Sequence, residues 1–579
     1  MSRVRTWVAL ASTAVLAVSA MAAPAVEARS NNPGANRWIL VAKSDSDFAS
    51  LRSDIAASGG RIIQEIPSID TFVVTGGASV KNLASDSHTQ TVAADHLEKL
   101  IEPDGTTSKI TPLRPKGAGG GTKVKVTPDP AMSLPGLMWN VNRVNAPAAW
   151  KVSTGSKAVT VGVADTGLDY TNAELASQVV HVEDFTGLEG TPTICQQVYA
   201  GTDEAMTDAD WAALYGGPAD TDWNGHGSWI GGNIAAALDG LGINGIAPNV
   251  KLVALKISQW CGYAYDSEIL AAFTWAADHG IDVVSISFGG YLDLTDPDQA
   301  AVYQQYVKTV QYALRKGTLI VAAAGNEHVR VGAGGKVLSH GSLTTPGDAI
   351  ADYYGMYETP GGIPGVIDVS STGNVVNTPT ASCVVDYPNT ECKPSTDVHQ
   401  PAGVGRQNQL AYYSNYGPRI DVAAPGGARK FNLPVWDGGG TPGFPVTTSS
   451  YAAWEDFSIT SNWALEIPCY YNLGPQFYTD TCYSTIQGTS MATPHASAVA
   501  ALIASRDPWV RHNPLALAAL LKATATPIHG NKTQALSATD TSVADETGAA
   551  CDTGYCHLGG APISDREAYG AGLVNALGH

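Results

Sequence analysis

The sequence predicts an α/β protein in which a large domain, built on a parallel sheet flanked by helices on both faces, follows a small α+β unit. Three observations carry this. From residue 158 onward, short β-branched apolar runs alternate with helical patterns, and runs apolar throughout belong to strands buried on both faces. Around residues 104–130 a stretch of Thr, Lys, Gly and Pro, including Gly119-Gly120-Gly121, has no apolar periodicity and separates two patterned regions. The 579 residues, 44% hydrophobic and 15% charged, allow a large buried core and lie far from the composition of disordered chains.

Taken in order, residues 1–28 read as a secretory signal peptide: Arg3 and Arg5 open it, residues 8–21 are apolar and small, and Ala-rich cleavage sites follow at 22–28. Export to the extracellular space is therefore expected. A membrane anchor is the alternative, but the segment is short and no later apolar run reaches about 18 residues. Residues 37–103 form the small unit. Apolar 38–42 is strand-like, Phe48, Leu51 and Ile55 fall at helical spacing, Gly59-Gly60 makes a turn, and 61–66 and 71–74 are strand-like, giving β-α-β-β with more to follow. Residues 104–133 are the linker. In residues 134–579, strands are expected at 158–164, 250–257, 282–288, 318–324 and 366–370, with helices at 267–278 and 300–315. Two stretches rich in Gly, Pro, aromatics and Cys, 183–222 and 427–486, break the alternation and read as surface insertions. In such sheets the chemistry lies beyond the carboxyl ends of the strands.

Charge and cysteine narrow the function. The net charge is −19, and the 126 N-terminal residues hold 14 Lys+Arg against 11 Asp+Glu, so the remainder carries −22. That argues against nucleic acid or an anionic membrane as a partner. All eight cysteines follow residue 190 and none has CxxC spacing, which fits disulfides in an oxidising compartment and disfavours zinc. Eight cysteines allow about 105 connectivities, among which the sequence does not choose; the pairs 383/392, 469/482 and 551/556 close the shortest loops and would leave Cys195 with Cys261.

Three polar residues stand where chemistry is expected. Asp165, in Asp165-Thr166-Gly167, ends the strand-like run 159–164; on turn chemistry alone it is an ordinary turn aspartate. His226 lies in Asn224-Gly225-His226-Gly227-Ser228, where glycines admit close backbone approach and a neutral imidazole suits proton transfer near pH 7; alone it is a surface turn histidine. Ser490 lies in Gly488-Thr489-Ser490-Met491-Ala492-Thr493-Pro494-His495 ahead of a helical run, where free N–H groups and the helix dipole favour an oxyanion; alone it is an N-cap.

Together these three motifs resemble, in order, the catalytic motifs of the subtilisin-like serine proteases. The resemblance runs from about residue 134 to the end, including 145–150, the Ala-Pro-Gly turn within 421–426 and the closing 569–576. It implies a subtilisin-like domain with Ser490 as nucleophile, His226 as general base and then acid, and Asp165 as the carboxylate that orients the imidazole. By the same resemblance, Ala323-Ala324-Gly325-Asn326 makes the Asn326 amide a donor to the oxyanion. Ser285-Ile286-Ser287-Phe288-Gly289-Gly290 resembles the strand along which an extended substrate lies. Ser287, Phe288, Gly289, Gly290, Ala324 and Gly325 are the expected substrate-binding residues, with an apolar side chain preferred before the scissile bond.

The small unit is similar to the propeptide that assists folding of these proteases and inhibits them, with processing expected between about residues 104 and 134. The reading is a secreted serine endopeptidase made as a self-processing precursor and acting as a monomer on protein or peptide substrates. No cofactor for catalysis is implied. Structural calcium is common in the family, and Asp203, Glu204, Asp208, Asp210, Asp220 and Asp222 crowd one insertion, without EF-hand spacing. Ser228-Trp229 and Asp169-Tyr170-Thr171-Asn172 depart from the usual Thr-His and His-Pro. Other readings are a binding protein of this fold without turnover and an α/β-hydrolase, which wants Gly-x-Ser-x-Gly and the order Ser, Asp, His. The serine-carboxyl proteases use glutamate in place of His226.

Overall fold

The computed structural model describes residues 36–101, 128–129, 138–188, 193–201, 205–207, 209–210, 213, 218, 220–342, 351–373, 380–386, 389–394, 408–427, 459–464, 481–537 and 557–578. The signal peptide and the linker lie outside the described residues, apart from 128 and 129. The small unit is an antiparallel sheet of β1 (Arg37–Ala42), β2 (Arg61–Ile66), β3 (Thr71–Thr75) and β4 (Thr89–Ala94), in the order β2-β3-β1-β4, with a helix over Asp45–Ala57. Strand β1 is apolar at every position after Arg37 because both its faces are covered. Trp38, Leu40 and Ala42 pack with Phe48, Leu51 and Ile55 of the unit's own helix. Ile39 and Val41 face the other way, onto Ile269, Tyr306 and Val310 of the large domain.

The large domain holds seven parallel strands: β6 (Thr160–Asp165), β7 (Val179–Asp184), β8 (Lys251–Lys256), β10 (Val283–Ile286), β12 (Leu319–Ala323), β14 (Ile367–Thr372) and β17 (Val422–Pro425), in the order β17-β14-β12-β10-β6-β8-β7. Alternate residues go to opposite faces. Val161, Val163, Val283 and Val321 join the helices His226–Ala235 and Thr489–Arg506, while Val284, Ile286, Ile320 and Ala322 join the helices Asp266–Asp278 and Pro297–Lys316. Helices thus cover both faces, as expected. The edge strand β7 falls at the start of a stretch read as an insertion, and its half-buried to exposed residues explain why it carries little apolar signal.

Two expectations need correction. The run 282–288 is not one strand: β10 ends at Ile286, and beyond Ser287 the chain enters β11 (Phe288–Leu292) of a second sheet. That sheet has the order β13-β11-β5-β9, with β5 (Leu97–Leu100), β9 (Tyr263–Tyr265) and β13 (Tyr357–Thr359). Strand β5 follows the small unit in sequence but pairs only with the large domain. The stretch 427–486 is also more than surface. Its described end, β18 (Ile459–Trp463), pairs antiparallel with β19 (Cys482–Ile486), and Ile459, Ser461, Asn462, Tyr483 and Ser484 are buried against the large core. Cys195 and Cys261 are bridged, with Cα atoms 5.5 Å apart. The register of β15 (Thr380–Asp386) on β16 (Asn389–Pro394) sets Cys383 opposite Cys392. Cys469, Cys551 and Cys556 lie outside the described residues.

Candidate active site

Asp165 is the last residue of β6, at the carboxyl end of a central strand, and is buried with His226. Its Oδ1 accepts from the Thr166 N–H at 2.8 Å and sits 2.8 Å from His226 Nδ1, a distance at which that ring nitrogen is the donor. The loops bearing the two residues are locked together. Thr166 Oγ1 donates to Asp222 Oδ1 (2.9 Å) and accepts from the Gly227 N–H (3.0 Å). The buried Lys256 ammonium, at the register position beside Asp165, donates to the carbonyls of Thr166 (2.5 Å) and Thr221 (2.9 Å). Asp222 then takes the N–H groups of Asn224 (3.0 Å), Gly225 (2.8 Å) and Ser228 (2.8 Å) and the Ser228 hydroxyl (2.7 Å). These are donors that the start of the His226 helix cannot satisfy internally. Gly167, at φ +115°, and Gly227 lie so close that a Cβ on Gly227 would strike the Gly167 carbonyl. Ser228, one of the two departures after His226-Gly227, is the residue Asp222 grips.

Ser490 lies in the first turn of the helix Thr489–Arg506, and its Oγ donates to the carbonyl of Ile101 at 2.6 Å. Its hydroxyl is turned to that carbonyl, and among the described residues His226 Nε2 has no hydrogen-bond partner. Pro494 has no N–H to return to the Ser490 carbonyl, which instead accepts from Ser287 Oγ at 3.3 Å. The Asn326 Oδ1 accepts from the Thr489 N–H (2.9 Å) and hydroxyl (2.8 Å), so the amide's donors are its Nδ2 hydrogens. Ala324 and Gly325 build the turn that presents it: Asn415 Nδ2 donates to the Ala324 carbonyl (2.5 Å) and Asn415 N–H to that of Gly325 (3.0 Å). Among the described residues no hydrogen bond joins Ala324 or Gly325 to the chain in the cleft.

That chain is the tail of the small unit. β5 lies antiparallel between β11 and β9, with Phe288 opposite Leu100, Gly289 opposite Lys99, Ala264 opposite Glu98 and Tyr265 opposite Leu97. Ile101 N–H reaches the Ser287 carbonyl (3.0 Å) and Leu100 N–H that of Gly262 (2.7 Å). Ser287, Phe288 and Gly289 therefore hold a backbone, and Gly290 makes room for the Glu98 side chain, which a Cβ there would strike. Ile101, Glu98 and Lys256 were not anticipated, and Asp222 was weighed for calcium rather than for the His226 helix. The run Leu97-Glu98-Lys99-Leu100-Ile101 does not alternate as a strand would, because charged Glu98 shares the buried side with Leu100. The processing bond was expected beyond residue 104. The carbonyl that meets Ser490 is that of Ile101, because β5 already fills the cleft up to that point.

The acidic insertion does not gather a metal set among the described residues. Asp210 accepts from Thr207, Asp220 from Tyr170, and Asp222 is spent on the His226 helix; Asp203, Glu204 and Asp208 lie outside the described residues. A different pair fits a hard cation better. Asp129 and Glu174 are both buried, and burial pushes them up to about 7 and about 8, with the Asp129 charge adding to the shift of Glu174. Glu174 Oε2 has no hydrogen-bond partner, and Asn244 and Gly240 bind Asp129. An all-oxygen set with excess negative charge suits Ca²⁺.

Comparison with known proteins agrees with this geometry. The family model described as the subtilase family matches residues 156–554, which hold Asp165, His226, Asn326 and Ser490. Fervidolysin of Fervidobacterium pennivorans is 24% identical over 505 residues, 84% of this chain and 55% of that protein. The thermophilic serine proteinase of Bacillus sp. strain AK1 is 26% identical over 66% of this chain and 61% of its own length. The chain thus spans less than two thirds of these relatives. In structure, fervidolysin superposes with a TM-score of 0.55 at 19% identity, covering 94% of this chain and 61% of that one. The epidermin leader peptide processing serine protease of Staphylococcus aureus gives 0.55 at 17%, covering 94% and 97%. Both likenesses are of fold. With the family's model spanning more than half of its length and the three motif residues inside that span, the chain belongs to the subtilase family.

Proposed function

We propose that this chain is a secreted serine endopeptidase, made as a precursor that cuts itself after Ile101, with residues 37–101 remaining as an inhibitor until released. The observation that carries this is the Ser490 hydroxyl 2.6 Å from the Ile101 carbonyl, beside an Asp165–His226 pair at 2.8 Å. Ser490 Oγ adds to the carbonyl carbon while His226 Nε2 takes its proton and Asp165 stabilises the imidazolium. The oxyanion is met by the Asn326 Nδ2 and Ser490 backbone N–H groups. The C–N bond then breaks as the amine takes the proton from His226, and water releases the acyl group by the same path. An apolar side chain before the cut, of which Ile101 is an example, is the substrate preference. The protein acts as a monomer, and its substrates are proteins and peptides able to lie extended between β9 and β11.

The test is the intact mass of the secreted chain beside Ser490→Ala, both made in a host without extracellular proteases. The expected result is a wild-type product beginning at Glu102 and a mutant that keeps residues 37–101. Retention of the segment by both chains would overturn self-processing. For the metal, we infer structural calcium at Asp129 and Glu174. Chelation should lower the Tm of wild type and leave that of Glu174→Gln unchanged; equal shifts in both would remove the site.

A further inference from the structure

The tail places an acid beside an acid. Counting back from Ile101, the fourth residue is Glu98, and its side chain is buried over Gly290 with Thr359 Oγ1 donating to Oε1 at 3.2 Å. Its remaining neighbour is the carboxyl of Asp266, the first residue of the helix Asp266–Asp278. Tyr306 donates to Asp266 Oδ1 at 2.7 Å, whereas among the described residues Oδ2 has no hydrogen-bond partner. Two carboxyls in contact cannot both be ionised in a buried site and hold together by sharing one proton.

Arg37, of β1, is held by other carboxylates, Asp95 at 2.6 Å and Glu268 at 3.7 Å, and by Ser267 at 2.9 Å. Asp95 adds a further negative charge near Asp266; Tyr306 is neutral, with its hydroxyl pushed well up by burial and by Asp266. His96, between β4 and β5, is the one group whose positive charge favours ionised Asp266, and it leaves the cleft with the tail. Burial pushes Glu98 up to about 7 against its bonds to Asp266 and Thr359, and burial together with the Glu98 charge holds Asp266 well above the carboxylate range.

We propose that Asp266 determines specificity in this subsite, so that the cleft selects at the fourth position before the cut a side chain that brings a proton to it: glutamine at any pH, and glutamate only while protonated. This rests on the protease reading above. The tail's own Glu98 makes the precursor the first substrate of that kind, docked as a neutral acid. Once its proton is lost, the tail is repelled, so the small unit's grip on the cleft weakens with rising pH. The sign follows from linkage. A carboxyl free in solution near its ordinary value and raised on docking binds fully below that value, then loses about tenfold per pH unit up to the raised value, and is level above it.

The experiment uses the self-processed enzyme and three peptide amides carrying Glu, Gln or Leu before Lys-Leu-Ile and a reporter leaving group, followed from pH 5 to pH 8. The ratio of kcat/KM for Glu to that for Gln cancels any pH dependence that the two reactions share. It is expected to fall by at least about tenfold between pH 5 and pH 7 and then level off, with Gln ahead of Leu throughout. In Asp266→Asn the ratio should lose its pH dependence; if that variant does not fold, the peptide series on the unmutated enzyme stands alone. A ratio flat from pH 5 to pH 8, or Leu ahead of Gln at every pH, overturns the proposal. Hydrolysis of none of the three peptides overturns the protease reading itself, so the two failures are told apart.

Discussion

Asn326 and Thr489 show how single side chains would set up the proposed oxyanion site. Because Thr489 occupies the Asn326 carbonyl oxygen twice, the amide cannot flip without losing both bonds, and its donors are fixed before substrate arrives. Asn326→Ala should lower kcat by about 10²–10³ with KM changed little, since the lost bond strengthens only as charge develops; steady-state hydrolysis of a peptide amide measures the split, and an unchanged kcat would remove Asn326 from the oxyanion site. Asp165, His226, Asn326 and Ser490 were legible because each carries its neighbours with it, glycines that admit close approach and a Pro494 placed early in a helix. Asp222, Lys256 and Glu98 were not. Lys256 and Glu98 work on partners far off in sequence, Thr166 and Asp266, while Asp222 joins a distant Thr166 to the nearby start of the His226 helix.

At the scale of elements, the reading succeeded where an element buries a regular stripe and failed where it borrows its partners. The strands β6, β8, β12 and β14 and the helices Asp266–Asp278 and Pro297–Lys316 match the expected ranges to within a few residues, because alternation in a doubly covered sheet writes itself into the sequence. The hairpin β18–β19 gave no such signal, since polar Ser461 and Asn462 are the residues it buries. Asn462 Nδ2 donates to the Ser228 carbonyl (3.2 Å), Ser461 Oγ to that of Trp229 (2.9 Å), and Trp229 Nε1 to that of Ser484 (3.2 Å). The unusual Trp229 is thus explained by the hairpin that braces the His226 helix. A methyl on Gly232 would strike Asn462 Oδ1 and Ser461 Oγ. Gly232→Ala, stabilising by about 1 kcal/mol in a free helix, should here destabilise by about 1–3 kcal/mol and lower kcat. Thermal unfolding in the Ser490→Ala background checks this, and a raised Tm would mean that the hairpin does not seat on this helix.

For the molecule as a whole, acid is expected to loosen the join between the Ser490 helix and the segment that opens the large domain. His495 is fully buried, with Nδ1 donating to the Met491 carbonyl (2.7 Å) and Nε2 accepting from Asn140 Nδ2 (2.9 Å), and burial pushes it down to about 3. Its ring must stay neutral to keep both bonds. The unfolded chain takes a proton there near pH 6.5 and the folded one does not, so stability falls as pH drops below that value, by about 1.4 kcal/mol per unit at this one site. His328, pushed down to about 4, acts in the same direction. Against His495→Gln in the Ser490→Ala background, the chain with histidine should lose Tm faster between pH 6.5 and pH 4.5; parallel curves would contradict the buried neutral ring. If β5 is released as proposed, the slot it leaves is one strand wide, between β11 and β9. A folded protein cannot enter such a slot as a helix or as a strand already paired within its own sheet. Native targets would then be cut at a rate set by how often some five-residue stretch comes loose, so that for them the enzyme reports on local unfolding as much as on side-chain sequence.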